Sequence, residues 1–298
     1  MAMSRVVGTI LKSLSGFYYV EVADTAQVVE CRACGRFRKT GEKPLSGDHV
    51  EIRIEGDSGY IEQILPRMNQ LTRPPVANID QLLLIVSMRD PAPSTLVIDK
   101  LLAIAESQQI APAIAFSKTD LADAQALYRL YTDAGFPCFM LSSKTGEGVD
   151  ALYPYLEGKV TVLTGNTGAG KSSLLNALYP KLRLATGEVS QKLGRGRHTT
   201  RQVEFLHLPH GGLVADTPGF SSITPGRYDL FDAAQLPHYF REFVPYLGQC
   251  RFQGCAHTCE KGCAVLQAVQ DGKIAPSRHA SYLAMLAEIK ETKEWDRR

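Results

Sequence analysis

The stretch Gly165-Asn166-Thr167-Gly168-Ala169-Gly170-Lys171-Ser172 decides the reading of this chain. It matches the phosphate-binding pattern G-x-x-x-x-G-K-[ST], and its flanks are the ones that pattern requires. Val160–Leu163 is a short apolar run that predicts a buried strand, and Lys171–Leu178 has the spacing of a helix. Glycines between strand and helix let backbone N–H groups wrap a phosphate. Lys171 then neutralises it, and the Ser172 hydroxyl, followed by Ser173, suits Mg²⁺. Asp216-Thr217-Pro218-Gly219 follows the apolar run Gly212–Ala215. An aspartate at that strand end suits the water shell of Mg²⁺, and the Gly219 N–H can meet a γ-phosphate.

Upstream, Ser117-Lys118-Thr119-Asp120 closes the apolar run Ala113–Phe116. It resembles the guanine-reading N-K-x-D signature with Ser in place of Asn. Asp120 can accept two hydrogen bonds, from guanine N1 and N2, which adenine cannot supply. Lys118 is expected along the base and the phosphate loop. Ser142-Ser143-Lys144, after the next apolar run, resembles the S-A-K loop that meets guanine O6 through backbone N–H. Ordinary small GTPases carry the phosphate loop first and the guanine readers last. Here the order is rotated, which looks like a circularly permuted GTPase.

Between the phosphate-loop helix and the next strand lies Gly194-Arg-Gly-Arg-His198-Thr199-Thr200. One of Thr199 and Thr200 is expected to complete the Mg²⁺ shell; the sequence does not choose between them. Phe220 stands where a Ras-type protein keeps its water-positioning Gln, and a phenyl ring cannot orient water. His198 is the nearest candidate for that catalytic role, with a phosphate or RNA contact as its alternative.

Apolar runs and amphipathic stretches alternate from Ile79 to about Leu178, which predicts a parallel, doubly wound sheet. Before them come five short alternating runs: Val6–Leu11, Phe17–Val22, Val28–Cys31, His49–Ile54 and Gly59–Leu65. Their regular spacing predicts a small barrel, with a basic, Phe37-bearing loop suited to nucleic acid. Leu71-Thr-Arg-Pro-Pro75 reads as a linker. Near the other end, Cys250-x4-Cys255-x-His257-x5-Cys263 supplies three thiolates and an imidazole, a closed tetrahedral Zn²⁺ set of the structural kind, with Cys259 spare. Cys31 and Cys34 read as incidental.

Net charge is +2, so no global field favours nucleic acid, but basic residues cluster at Arg32–Lys43 and Lys181–Arg201. No apolar run is long enough for a membrane span, and no signal-peptide order opens the chain. The expectation is a cytoplasmic monomer. A P-loop kinase or ATPase is the first rival, disfavoured by Lys118 and Asp120. A GTP-gated binding protein is the second.

The rotated motif order, the Gly-Arg-Gly-Arg-His-Thr-Thr loop, Asp-Thr-Pro-Gly-Phe and the Cys/His spacing closely resemble the ribosome small-subunit-dependent GTPase A family, along essentially the whole chain. The resemblance implies a multidomain α/β protein. Residues 1–71 would form an OB-fold RNA-binding barrel, 72–224 the circularly permuted GTPase domain, and 225–298 a helical zinc-binding domain. It also implies GTP hydrolysis in late maturation of the small ribosomal subunit, stimulated by that subunit and its rRNA. Ser117 and Cys259 are slight departures from the family pattern.

Overall fold

The computed structural model describes residues 4–72, 74–180, 203–216 and 232–295. These divide into two compact units. One holds the chain up to 82, with 151–164 and the described part of 171–220. The other holds 83–150, 165–170 and the described part of 221–298.

In the first unit, β1 (Ser4–Leu14), β2 (Phe17–Val22), β3 (Val28–Ala33), β4 (His49–Glu55) and β5 (Ser58–Ile64) close into a barrel, order β1-β2-β3-β5-β4. All five predicted runs are strands. Period-2 alternation sends Ile10, Val20, Val50, Ile52 and Ile61 into one core, where each is fully buried. Every pairing is antiparallel except β3–β5, the parallel step that shuts the barrel. Gly8 allows β1 to cross β2 closely, since a Cβ there would stand 2.4 Å from the Glu21 carbonyl oxygen.

A short helix, α1 (Arg36–Thr40), lies between β3 and β4. Its Phe37 is 5% exposed and belongs to the barrel core. The ring anchors α1 and is not available to stack on a base, contrary to the sequence expectation. A half-exposed aromatic does occur at Phe17, which carries the Arg32 guanidinium 4.7 Å from its ring centre.

The expected linker is instead structured. β6 (Gln70–Thr72) and β7 (Pro75–Ala77) pair antiparallel, and Pro75 is tolerated because a two-stranded ribbon leaves each strand an outer edge. Arg67 donates Nε and Nη2 to the buried Asp48 carboxylate at 2.6 and 2.8 Å and Nη1 to Gln70 Oε1 at 2.7 Å, linking the start of this ribbon to the residue before β4.

The remaining strands are β8 (Gln81–Ser87), β9 (Ala111–Ser117), β10 (Cys138–Met140), β11 (Val160–Thr164), β12 (Phe205–His207) and β13 (Leu213–Asp216). Their sheet order is β10-β9-β8-β11-β13-β12. β8 is buried at all seven positions, as expected for a strand covered on both faces. β12 runs antiparallel to β13, the two forming a hairpin. Within the first unit the barrel meets β12: Lys12 and Glu204 form a bridge, their side chains pair at 3.0 Å, and Ser46 Oγ donates to the Val203 carbonyl at 3.0 Å.

The helices are α2 (Thr95–Ser107), α3 (Gln125–Asp133), α4 (Tyr153–Leu156) and α5 (Lys171–Leu178). The C-terminal region, in the second unit, is built differently. It has 3-10 turns at Leu236–Tyr239 and Val244–Tyr246, a helix Ala264–Gln270 and a terminal helix Pro276–Trp295. The rings of Phe240, Phe243 and Tyr282 pack on one another, and Met285 and Ile289 are buried on the terminal helix.

Candidate nucleotide and metal sites

The strand-to-helix turn Gly165–Gly170 has the backbone that the sequence requires. Gly165 sits at φ +145°, and a Cβ there would lie 2.3 Å from the Ile85 carbonyl oxygen. Gly168 and Gly170 are also left-handed, at φ +80° and +96°. In the second unit this turn is fastened to the end of β9. Ser117 Oγ donates to the Ala169 carbonyl at 2.6 Å and is itself buried. A serine therefore ties the segment Ser117–Asp120 to the turn Gly165–Gly170. Thr119 N–H donates to the Leu141 carbonyl at 3.3 Å, which links that motif to the segment Ser142–Lys144. Ser142 is buried and holds its own turn by accepting from Thr145 N–H, while Lys144 and Asp120 are exposed.

Lys118 has carbonyl partners of its own. Its backbone is left-handed, at φ +61°, and its Nζ donates to the carbonyls of Arg89 and Asp90 at 3.0 and 2.6 Å. The ammonium thus grips the loop that follows β8, a feature with no mark in the sequence.

In the first unit, the start of α5 faces the end of β13. Ser172 Oγ donates to Asp216 Oδ2 at 2.9 Å. Burial lowers the Lys171 ammonium pKa, and the Asp216 carboxylate pulls it back up. A hydroxyl and a carboxylate oxygen at that separation are hard donors of the kind Mg²⁺ takes. His198, Thr199, Thr200 and Gly219 lie outside the described residues.

Cys250, Cys255, His257 and Cys263 place their ligand atoms within 4.8 Å of one another. Cys250 Sγ is 3.8 Å from Cys263 Sγ and 3.6 Å from His257 Nδ1, which is 3.3 Å from Cys263 Sγ. Zinc–ligand bonds of about 2.3 Å to sulfur and ~2.0 Å to nitrogen at tetrahedral angles need separations of ~3.5–3.8 Å. The separations of 3.3–3.8 Å among Cys250, His257 and Cys263 lie close to that range, so the cluster could hold a metal ion. Burial lowers the His257 pKa and pushes the Cys255 thiol up to about 12, so thiolates here need a cation beside them.

The surroundings orient the ligands. His279 Nε2 donates to the His257 carbonyl at 2.8 Å, and Ala264 and Leu266 N–H groups point at Cys250 and Cys263 Sγ at 3.4 Å. Burial would raise the Glu260 carboxyl, but N–H groups including those of Thr258, Ala256 and Cys259 outweigh it and hold its pKa at about 2. Cys259 is exposed and outside the cluster.

Comparison with known proteins places this architecture. The family model described as RsgA GTPase matches residues 64–225, and the RsgA N-terminal domain matches 7–61. The small ribosomal subunit biogenesis GTPase RsgA of Geobacillus thermodenitrificans is 47% identical over 96% of this chain and 98% of its own length. This chain belongs to the RsgA GTPase family. The RsgA of Bacillus subtilis is 42% identical over 96% of this chain and 98% of its own length. Among solved structures, YjeQ from Thermotoga maritima superposes with a TM-score of 0.79 at 36% identity, covering 96% of this chain and 99% of that one. YloQ, described as a circularly permuted GTPase, gives 0.78 at 37%, covering 97% and 96%. As an RsgA family member the chain is a GTPase, with the rotated motif order and the N-terminal barrel read from its sequence. Among the described residues, no helix is long and apolar enough to cross a membrane.

Proposed function

We propose that this GTPase binds the small ribosomal subunit in the cytoplasm as a monomer and hydrolyses GTP to GDP and phosphate late in subunit maturation, with turnover stimulated by the subunit. The 2.6 Å tie from Ser117 to Ala169 carries the nucleotide part of this reading, because it sets a guanine-reading motif against a phosphate turn. The names of the relatives support the ribosomal part.

In this reading Asp120 accepts from guanine N1 and N2, and Ser142–Lys144 offer backbone N–H to O6. Gly165, Asn166, Thr167, Gly168, Ala169 and Gly170 cradle the phosphates, with Lys171, Ser172, Ser173 and Gly219 at the γ end. Ser172, Asp216 and one of Thr199 and Thr200 would hold Mg²⁺, which would supply charge neutralisation to the nucleotide phosphates. A structural zinc held by Cys250, Cys255, His257 and Cys263 supplies folding energy to the C-terminal domain. The barrel, 1–71, is the RNA-binding domain, 72–224 is the GTPase domain and 225–298 is the zinc-binding domain. Phe220 leaves the free enzyme without a water-positioning side chain, and His198 takes that role on the subunit.

The test is GTP turnover with and without purified small subunits. Stimulation of at least tenfold is expected, and none would overturn the ribosomal reading. His198→Ala is expected to bind GTP almost normally and lose about a hundredfold of the stimulated rate. A loss within twofold would return His198 to an RNA contact.

A further inference from the structure

Arg278 sits on the terminal helix with only 1% of its surface exposed, an unusual place for a guanidinium. Its Nη1 donates to Asp99 Oδ1 at 2.5 Å, and its Nε and Nη2 donate to Glu242 at 2.5 and 3.1 Å. The rings of Tyr131, Phe136 and Phe240 surround the guanidinium, with centres 5.7, 5.5 and 4.7 Å away. Tyr131 donates its hydroxyl to the same Asp99 oxygen at 2.8 Å. Asp99 is on α2 and Tyr131 on α3, so one buried group joins two helices of the nucleotide-binding sheet to the C-terminal region.

Those two helices have a common property. α2 begins where the loop after β8 ends, and α3 begins just after Ser117–Asp120. The two loops are tied to each other by Lys118 Nζ on the carbonyls of Arg89 and Asp90. The first also approaches the phosphate turn, since a Cβ on Gly168 would lie 3.8 Å from the Pro91 ring and from the Asp90 carbonyl oxygen. Whatever fixes α2 against α3 therefore fixes the two loops around the base end of the site. Buried ion clusters add little net stability over a well-packed apolar core, but they hold elements in one register.

We propose that Arg278 is a positioning residue for the base end of the nucleotide site, so that how long guanine nucleotide stays bound depends on the C-terminal region. This rests on the reading of Ser117–Asp120 as the guanine reader. The link runs through packed helices with no contact between Arg278 and the ligand. Small displacements of loops that orient a ligand produce large kinetic effects.

The experiment follows release of a fluorescently labelled GDP from the full-length, zinc-loaded protein by stopped flow, with zinc content and thermal midpoint measured alongside. Arg278→Met is expected to speed release at least fivefold. It should also raise KM for GTP in subunit-stimulated turnover by a similar factor, with kcat within twofold. Arg278→Lys, which reaches only one of the two carboxylates, should fall between. Tyr131→Phe removes only the hydroxyl link from α3 to Asp99 and serves where Arg278→Met fails to fold; two- to threefold faster release is expected from it. Native release rates in a folded, zinc-replete Arg278→Met, or in Tyr131→Phe where the former does not fold, would overturn the proposal. Asp120→Asn separates this from the reading beneath it. That variant should turn selectivity toward xanthine nucleotides, and if it does so while both other variants release GDP normally, only the role of Arg278 fails. Unchanged guanine selectivity in Asp120→Asn would remove the foundation of both.

Discussion

The barrel and the C-terminal region are of similar size, yet they are held together by different physics. The barrel closes a sheet on itself, so its backbone groups pair internally and its alternating residues meet in one apolar core. The C-terminal region has short 3-10 turns and two helices, and among its buried residues are Arg278, His279, His257 and Cys263. A segment this small gains from a staple, and its Cys/His cluster could hold a metal ion. On the proposed function, one region is conditional on a cation and the other is not.

Removing the metal is the sharpest way to break that symmetry. Cys255→Ser, or a strong chelator, forfeits a metal-binding free energy on the order of 10 kcal/mol. Hydrogen exchange should then show residues 232–295 losing amide protection while β1–β5 keep theirs. Equal loss in both regions would mean that the barrel depends on the metal as well. A milder effect is expected from Ile52→Ala, which leaves a cavity in a fully buried position and costs about 2–5 kcal/mol. Its urea midpoint should fall with zinc content unchanged. The smallest effect belongs to Arg5→Ala. Arg5 pairs with Glu62 at 3.0 Å, but its side chain is 72% exposed, so the loss should stay below about 0.5 kcal/mol and shrink further in salt. A larger loss would show that charge pairs on the barrel wall contribute alongside the core.

The contrast also explains what the sequence disclosed. Strands and ligands announce themselves locally: Phe17–Val22 alternates over six residues, and the Cys/His set spans fourteen. Helix α5 was legible to the residue because a glycine turn opens it. What stayed hidden depends on partners distant in sequence. Phe37 looked like a surface aromatic among arginines, and only closure of the barrel shows that its ring is core. Asp99 and Arg278 are separated by 179 positions, and nothing around either one marks it as buried. The grip of Lys118 on Arg89 and Asp90 is equally silent, since backbone carbonyls carry no residue signature. Leu71–Pro75 was read as a linker because proline argues against a central strand, but a two-stranded ribbon has no centre.

The bridge between Lys12 and Glu204 has a colloidal consequence. β12 ends the sheet order, and a terminal strand offers unpaired N–H and C=O groups to any other chain it meets. The opposite end, β10, is blunted by being three residues long. At β12 the guard is the barrel, whose β1 pairs at Lys12 and covers the strand with an ion pair and the Ser46 hydroxyl. Among the described residues the barrel covers this end of the sheet, and a chain trimmed to begin after Thr72 is expected to expose it and associate more readily.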